Sequence, residues 1–186
     1  MIDPMFRLII KAEHEITEDL DGKIRNNLCL TFPHSAWYFE YQRGWKGALP
    51  DWTVVIMDDQ DNPVAHCGVI ERSITIGDVD YPIFGIQNVY VLPEQRGKGL
   101  AHELLWSVDS EAFKRDMAFG LLFCRPHVEK LYYDADWIKI GQPLIYVRNE
   151  NGQEVVRDFV HDSLFFSPVK ITSMPEGIIH FNGPDW

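Results

Sequence analysis

The rhythm of apolar and polar positions changes several times along the chain. Phe6–Ala12, FRLIIKA, is an apolar run that predicts a first strand. In TEDLDGKIRNNLCLTF, Leu20, Ile24 and Leu28 recur at the spacing of one helix face, and Thr17 stands where an N-cap belongs. SAWYFEYQRGW fits neither rhythm, so a short helix and an aromatic loop both stay open. Trp52–Asp58 predicts a strand, DQDNP a turn, and Val64–Ile76 a long alternating strand. GDVD then turns the chain back into YPIFGIQNVYVL, Tyr81–Leu92, for an antiparallel run of three strands.

From Gly99 the period lengthens. Leu100, Leu104, Leu105, Val108 and Ala112 share one helix face. Gly120–Cys124, GLLFC, is wholly apolar, as a strand buried on both faces would be. HVEKLYYDAD predicts a helix, WIKIG a strand, and LIYVRNENGQEVVRDFV a hairpin about Asn151-Gly152. The order β-α-(α)-β-β-β-α-β-α-β, then more β, predicts an α/β (α+β) fold with a mixed, partly parallel central sheet flanked by helices. No repeat or linker interrupts it, so residues 1–186 are expected to form a single domain.

Composition narrows the classes. Hydrophobic residues make up 46% and charged residues 24%, an ordinary globular balance. No apolar run approaches the roughly 18 residues of a membrane span, and the N-terminus lacks the cations of a signal peptide. A cytoplasmic protein without membrane association is the default. The net charge of −11 argues against nucleic acid and suits a cationic small molecule such as an amine, although acidity for solubility is the simpler account. Cys29, Cys67 and Cys124 lie far apart, and the histidines form no H-x-x-x-H pair, so free thiols and no metal are expected.

The candidate chemistry lies in NVYVLPEQRGKGLAHELL. A helix start leaves main-chain N–H groups unpaired and carries partial positive charge. Gly97 and Gly99 let a ligand approach the backbone, and Arg96 and Lys98 add charge. The assembly suits a phosphate or pyrophosphate. It is neither a P-loop nor a dinucleotide fingerprint.

Arg96-Gly97-Lys98-Gly99-Leu100-Ala101 fits R-x-x-G-x-[GA] directly after a strand ending VYVLP, and so resembles the pyrophosphate signature of the GCN5-related N-acetyltransferases. The resemblance implies acetyl-CoA as cosubstrate, its pyrophosphate on residues 96 to 101, and its pantetheine arm along Val89, Tyr90 and Val91. Backbone N–H groups there would polarise the thioester carbonyl, freed by a splayed or bulged strand. LYYDADWIKIG, Leu131–Gly141, resembles the family's helix-to-strand segment. Tyr132 falls on the tyrosine that often protonates the departing thiolate, against the plainer reading that Tyr132 or Tyr133 packs on the sheet. Asp136 replaces the usual glycine, which implies a different local turn. The resemblance follows element order from Phe6 to Gly141 and is specific from Gly85 onward.

Two branches look nearest. AHCGVIERSITIGDVDYPIFG and LYYDADWIKIGQP resemble the aminoglycoside 2′-N-acetyltransferases. W-x-G-A-x-P at Trp45–Pro50, LAH at Leu100–His102 and the ending GIIHFNGPDW resemble the nodulation N-acyltransferases. Both act on sugar amines. Gln87 stands where the first branch has a glutamate near the acceptor, and an amide takes no proton at neutral pH. Asp162 falls near that branch's acceptor-binding aspartate, and a shift of one residue puts His161 there. The second branch lacks the tyrosine, so Tyr132 favours acetyl-CoA over a protein-bound acyl chain.

The catalytic candidates are Tyr132 and Gln87, and the acceptor candidates are Glu40, Asn88, Asp162 and Trp186. The aromatic stretch around Glu40 reads as an acceptor wall or, more simply, as a satellite core. Trp186 offers a carboxylate, against the reading of a frayed end. Cys124 is expected to be a buried thiol, and His66 and His102 structural or surface residues. Three functions follow: acetyl transfer to a small primary amine; transfer of a longer acyl group to a glucosamine-like amine; or a non-catalytic CoA-binding domain. Homodimerisation is left open.

Overall fold

A computed structural model of the chain describes residues 4–45 and 48–186. In chain order the elements are β1 (Arg7–Ala12), α1 (Glu18–Thr31), α2 (Ala36–Phe39), β2 (Trp52–Met57), β3 (Pro63–Ile76), β4 (Val79–Val91), α3 (Leu100–Lys114), β5 (Phe119–Cys124), α4 (Glu129–Tyr133), β6 (Ile138–Ile140), β7 (Ile145–Arg148), β8 (Glu154–Val156), β9 (Ser163–Pro168) and β10 (Ile179–His180). The class is mixed α/β with parallel and antiparallel pairings, as the apolar pattern predicts. The chain divides into two compact units: Met1–Trp45, Leu49–Ile70 and Gln87–Val108 form the first, and Lys46–Ala48, Glu71–Ile86 and Asp109–Trp186 the second.

In the first unit β1 pairs antiparallel with β2, and β2 with β3. Every residue of β2 is buried, so it reads as an apolar run without alternation. Thr17 caps α1, its hydroxyl accepting from the Leu20 N–H at 3.3 Å. Ile24 and Leu28 then pack with Phe39, Val55, Met57 and Tyr90. The aromatic stretch resolves into the short helix α2 and a turn. Phe39 is buried and stacks on Trp45 at 5.6 Å, and Tyr38 meets Trp45 edge-on at 5.5 Å. These rings are core, and of the W-x-G-A-x-P motif Gly47 lies outside the described residues.

In the second unit β4 runs parallel to β5 over Ile83–Gly85. β9 pairs antiparallel with β5 along its whole length and with β6 on its other side. Sequence reading missed β9: residues 163 to 167 are all buried, so no alternation marks SLFFSP. β7 and β8 form the expected hairpin, and β10 joins β7 in parallel and β3 antiparallel. α4 is only five residues long, shorter than the periodicity of HVEKLYYDAD predicts, because Pro126 opens a 3-10 turn, Pro126–Val128, ahead of it.

Asp136 corrects one expectation. It adopts φ 62, the conformation a glycine would take. Trp137 N–H donates to the Tyr132 carbonyl (3.0 Å) and Asp136 N–H to that of Tyr133 (3.2 Å). This is a Schellman closure, so the turn is kept and aspartate bears its strain.

Candidate functional site

In the first unit, β4 hands over to α3 through a 3-10 turn, Pro93–Gln95, and two glycines. Gly97 and Gly99 take φ 78 and 76, values that L side chains rarely adopt, and the space where a Cβ would sit is open at both. Among the described residues, no main-chain N–H from Gly97 to His102 lies within hydrogen-bond geometry of a main-chain carbonyl. Leu100 is buried and anchors the helix, while residues 96 to 99 are exposed. Lys98 Nζ donates to Gln95 Oε1 (2.6 Å) and lies 5.4 Å from the centre of the Phe6 ring. Arg96 Nε donates to the Val91 carbonyl (3.1 Å), tying the loop to the strand end. These main-chain donors at the start of a fifteen-residue helix, with two cations beside them, can hold a diphosphate.

Just upstream, β4 is irregular. Asn88 has φ 55 within the strand, so the chain is bulged where Val89, Tyr90 and Val91 begin. Gln87 is 5% exposed, and its Oε1 accepts from the Trp45 N–H at 2.7 Å. Asn88 Nδ2 donates to the Arg43 carbonyl at 2.6 Å. Both amides thus brace the Arg43–Trp45 backbone. Arg43, which sequence reading passed over, is 3% exposed and held by Glu13 (2.7 Å) and Asp21 (2.6 Å). Its guanidinium and that of Arg25 keep the Asp21 carboxyl below its usual pKa, against the burial that would raise it. With Ile16, Glu18 and Arg25 these residues line a cavity of about 580 Å³. Glu40 is exposed, and its carbonyl accepts from Arg25 Nη1 (2.5 Å).

In the second unit, Tyr132 is 7% exposed on α4, its ring 5.7 Å from Phe165 and 6.2 Å from Trp137. Asp162 accepts from Arg157 Nη2 (2.9 Å) and lies 3.7 Å from Arg125 Nε. With Arg125, His127, Phe159, His161 and Ser163 it lines a cavity of about 480 Å³. Trp186 is not frayed: its indole is 4% exposed, stacked on Phe181 at 4.9 Å. Arg157 joins these two candidates, bonding Asp162 on one side and Asp185 (3.0 Å) on the other, with its guanidinium carbon 3.5 Å from the centre of the Phe123 ring. No motif in the sequence singles out Arg157; only its contacts do. Cys124 is buried, and burial foremost, with Glu129 and Asp162 adding, pushes its thiol up to about 12, so it stays protonated and unreactive.

The model of the acetyltransferase (GNAT) domain matches residues 14–138. Nodulation protein A of Rhizobium tropici is 31% identical over 101 residues, 53% of this chain and 51% of that protein. Nodulation protein A of Mesorhizobium japonicum is 36% identical over 66 residues, 36% of this chain and 33% of that protein. The matches thus span about half or less of the length of these curated relatives. Among solved structures, the Escherichia coli GNAT family N-acetyltransferase YhbS in complex with CoA aligns at a TM-score of 0.61 and 14% identity, covering 97% of this chain and 93% of that one. Arabidopsis thaliana NAA60 in complex with acetyl-CoA aligns at 0.57 and 11% identity, covering 88% and 100%. At these identities the likeness is one of fold.

Proposed function

The chain belongs to the GNAT acetyltransferase family, and on that premise we propose that it transfers an acetyl group from acetyl-CoA to a primary amine of a small molecule, an amino sugar by preference. The observation that carries this reading is the run of N–H groups from Gly97 to His102 at the start of α3, none within hydrogen-bond geometry of a main-chain carbonyl among the described residues. A diphosphate on those donors places the thioester arm along β4. The neutral amine attacks the thioester carbonyl, whose oxygen gains negative charge and is stabilised by N–H groups at the bulge after Asn88. The intermediate collapses, the C–S bond breaks, and the leaving thiolate takes up a proton, for which the resemblance of Leu131–Gly141 to the family's helix-to-strand segment names the Tyr132 phenol as donor. Gln87 has no proton-accepting group at neutral pH, so the proton of the amine leaves to water.

A second reading has support of its own. The curated relatives are nodulation proteins A, which favours a longer acyl donor on a glucosamine-like amine. One experiment separates the readings: CoA-thiol release with acetyl-CoA and with long-chain acyl-CoA, across amines that include glucosamine. Turnover with acetyl-CoA supports the first reading and turnover only with the longer donor the second. Binding of CoA without turnover leaves a non-catalytic domain, and no binding rejects all three. Given turnover, Tyr132→Phe should lower kcat about 100-fold at neutral pH; an unchanged kcat removes Tyr132 from the chemistry.

A further inference from the structure

One residue of β4 departs from strand geometry. Asn88, at φ 55, lies three residues before the strand ends at Val91. Such a conformation is strained for a residue with a side chain and persists only where its surroundings over-determine it. Two contacts do so here. Asn88 Nδ2 donates to the Arg43 carbonyl at 2.6 Å, and the Asn88 carbonyl lies 2.9 Å from His66 Nδ1.

A carbonyl only accepts, so the proton of His66 sits on Nδ1. Nε2 is then a bare lone pair, buried without a partner among the described residues. The ring is fully buried on β3 and stacks on Tyr90 at 5.5 Å and 16°. The Tyr90 hydroxyl is fixed in turn by Asn27 Nδ2 at 3.2 Å. Burial foremost, with the Arg43 charge adding, drives the imidazole pKa down to about 3. The donor that meets Asn88 therefore does not change with pH in the physiological range.

We infer that His66 is a positioning residue for acyl transfer: as a neutral Nδ1–H imidazole it clamps the Asn88 carbonyl and so fixes the direction of the N–H groups that follow in β4. The catalytic part of this inference rests on the acyltransferase reading above; the clamp itself does not. The alternative is a histidine that merely fills the core, and a leucine would fill it as well. Asparagine separates the two, because its carboxamide nitrogen is the same number of bonds from Cα as His66 Nδ1.

The test combines ring ¹⁵N spectra of the wild type, crystal structures of His66→Leu and His66→Asn, and steady-state kinetics of all three. The clamp requires Nδ1 to be protonated, Nε2 to be bare, and no ring titration between about pH 5 and 8. In His66→Leu, Asn88 should leave the left-handed region and kcat should fall about 10- to 100-fold, with the KM for the acyl donor within about threefold. His66→Asn should restore both the Asn88 conformation and most of kcat. A proton on Nε2, or a His66→Leu protein that keeps Asn88 at positive φ, overturns the clamp. A His66→Leu protein that loses the bulge yet keeps its kcat overturns the catalytic role. If the wild type transfers no acyl group, the functional reading fails, and the spectra and structures still decide the clamp.

Discussion

At the end of α4 a single aspartate keeps a turn that usually takes a glycine. The Schellman bonds to Tyr132 and Tyr133 need the third residue past the helix end in the left-handed region, and Asp136 goes there at φ 62. The sequence shows a missing glycine; it does not show that the turn's two hydrogen bonds and the Tyr132–Trp137 ring contact outweigh the strain. Asp136→Gly should therefore stabilise the protein by about 0.5 to 1 kcal/mol in urea unfolding, leaving Tyr132 in place. The helical period puts Asp109 with Glu103 and Lys114 on the surface of α3, and the structure turns it inward onto Ser167 instead. Burial pushes its carboxyl up to about 7, only partly offset by the Ser167 hydroxyl donating at 2.9 Å and by the Trp137 indole, whose N–H meets no acceptor at hydrogen-bond geometry. The folded state thus holds a proton that the unfolded state releases near pH 4. The stability from this group is complete below that pH and is lost as pH rises through about 7. Asp109→Asn should remove about 2 to 4 kcal/mol of this pH-dependent loss. Thermal unfolding at pH 4, 5.5 and 7.5 checks the sign: the variant gains on the wild type as pH rises.

Among the elements, those with a clear period were legible. α1 and α3 show their buried faces, and GLLFC shows a strand covered on both sides. β9 was not, because a strand without an exposed face loses its alternation and lacks the flanking turn signals that mark GLLFC. The loop before α3 was the most legible part of the site, since glycine, cation and helix start each have a local cause. Its strain is also local. Gly99 takes a φ of 76 that an alanine would adopt only under strain, and the space above it is open, where the proposed diphosphate would lie. Gly99→Ala should therefore raise the KM for acetyl-CoA about tenfold or more, with kcat at saturation nearly unchanged. Titration with CoA alone should show the same weakening. A variant that binds CoA as the wild type does would place the diphosphate elsewhere.

On the scale of the whole chain, what the sequence hid was the C-terminal segment, because its contacts are distant in sequence. Asn182 Nδ2 reaches the Ser73 carbonyl and Thr75 Oγ1, both at 3.2 Å, and Ile179 pairs with Ile76. FNGPDW suggests a turn but cannot show that the indole of Trp186 fills the space over Gly85. A Cβ added at Gly85 would lie 2.0 Å from that ring, with the Arg72 guanidinium 5.2 Å away over it. Gly85→Ala should cost about 2 kcal/mol by overpacking. The cost should depend on the indole. In a Trp186→Ala background, itself destabilised by about 3 to 5 kcal/mol through the cavity it leaves, the methyl enters free space. The two substitutions should then couple by about 2 kcal/mol in a double-mutant cycle of urea midpoints at constant m. Additive costs would mean that the indole does not rest on Gly85 in solution.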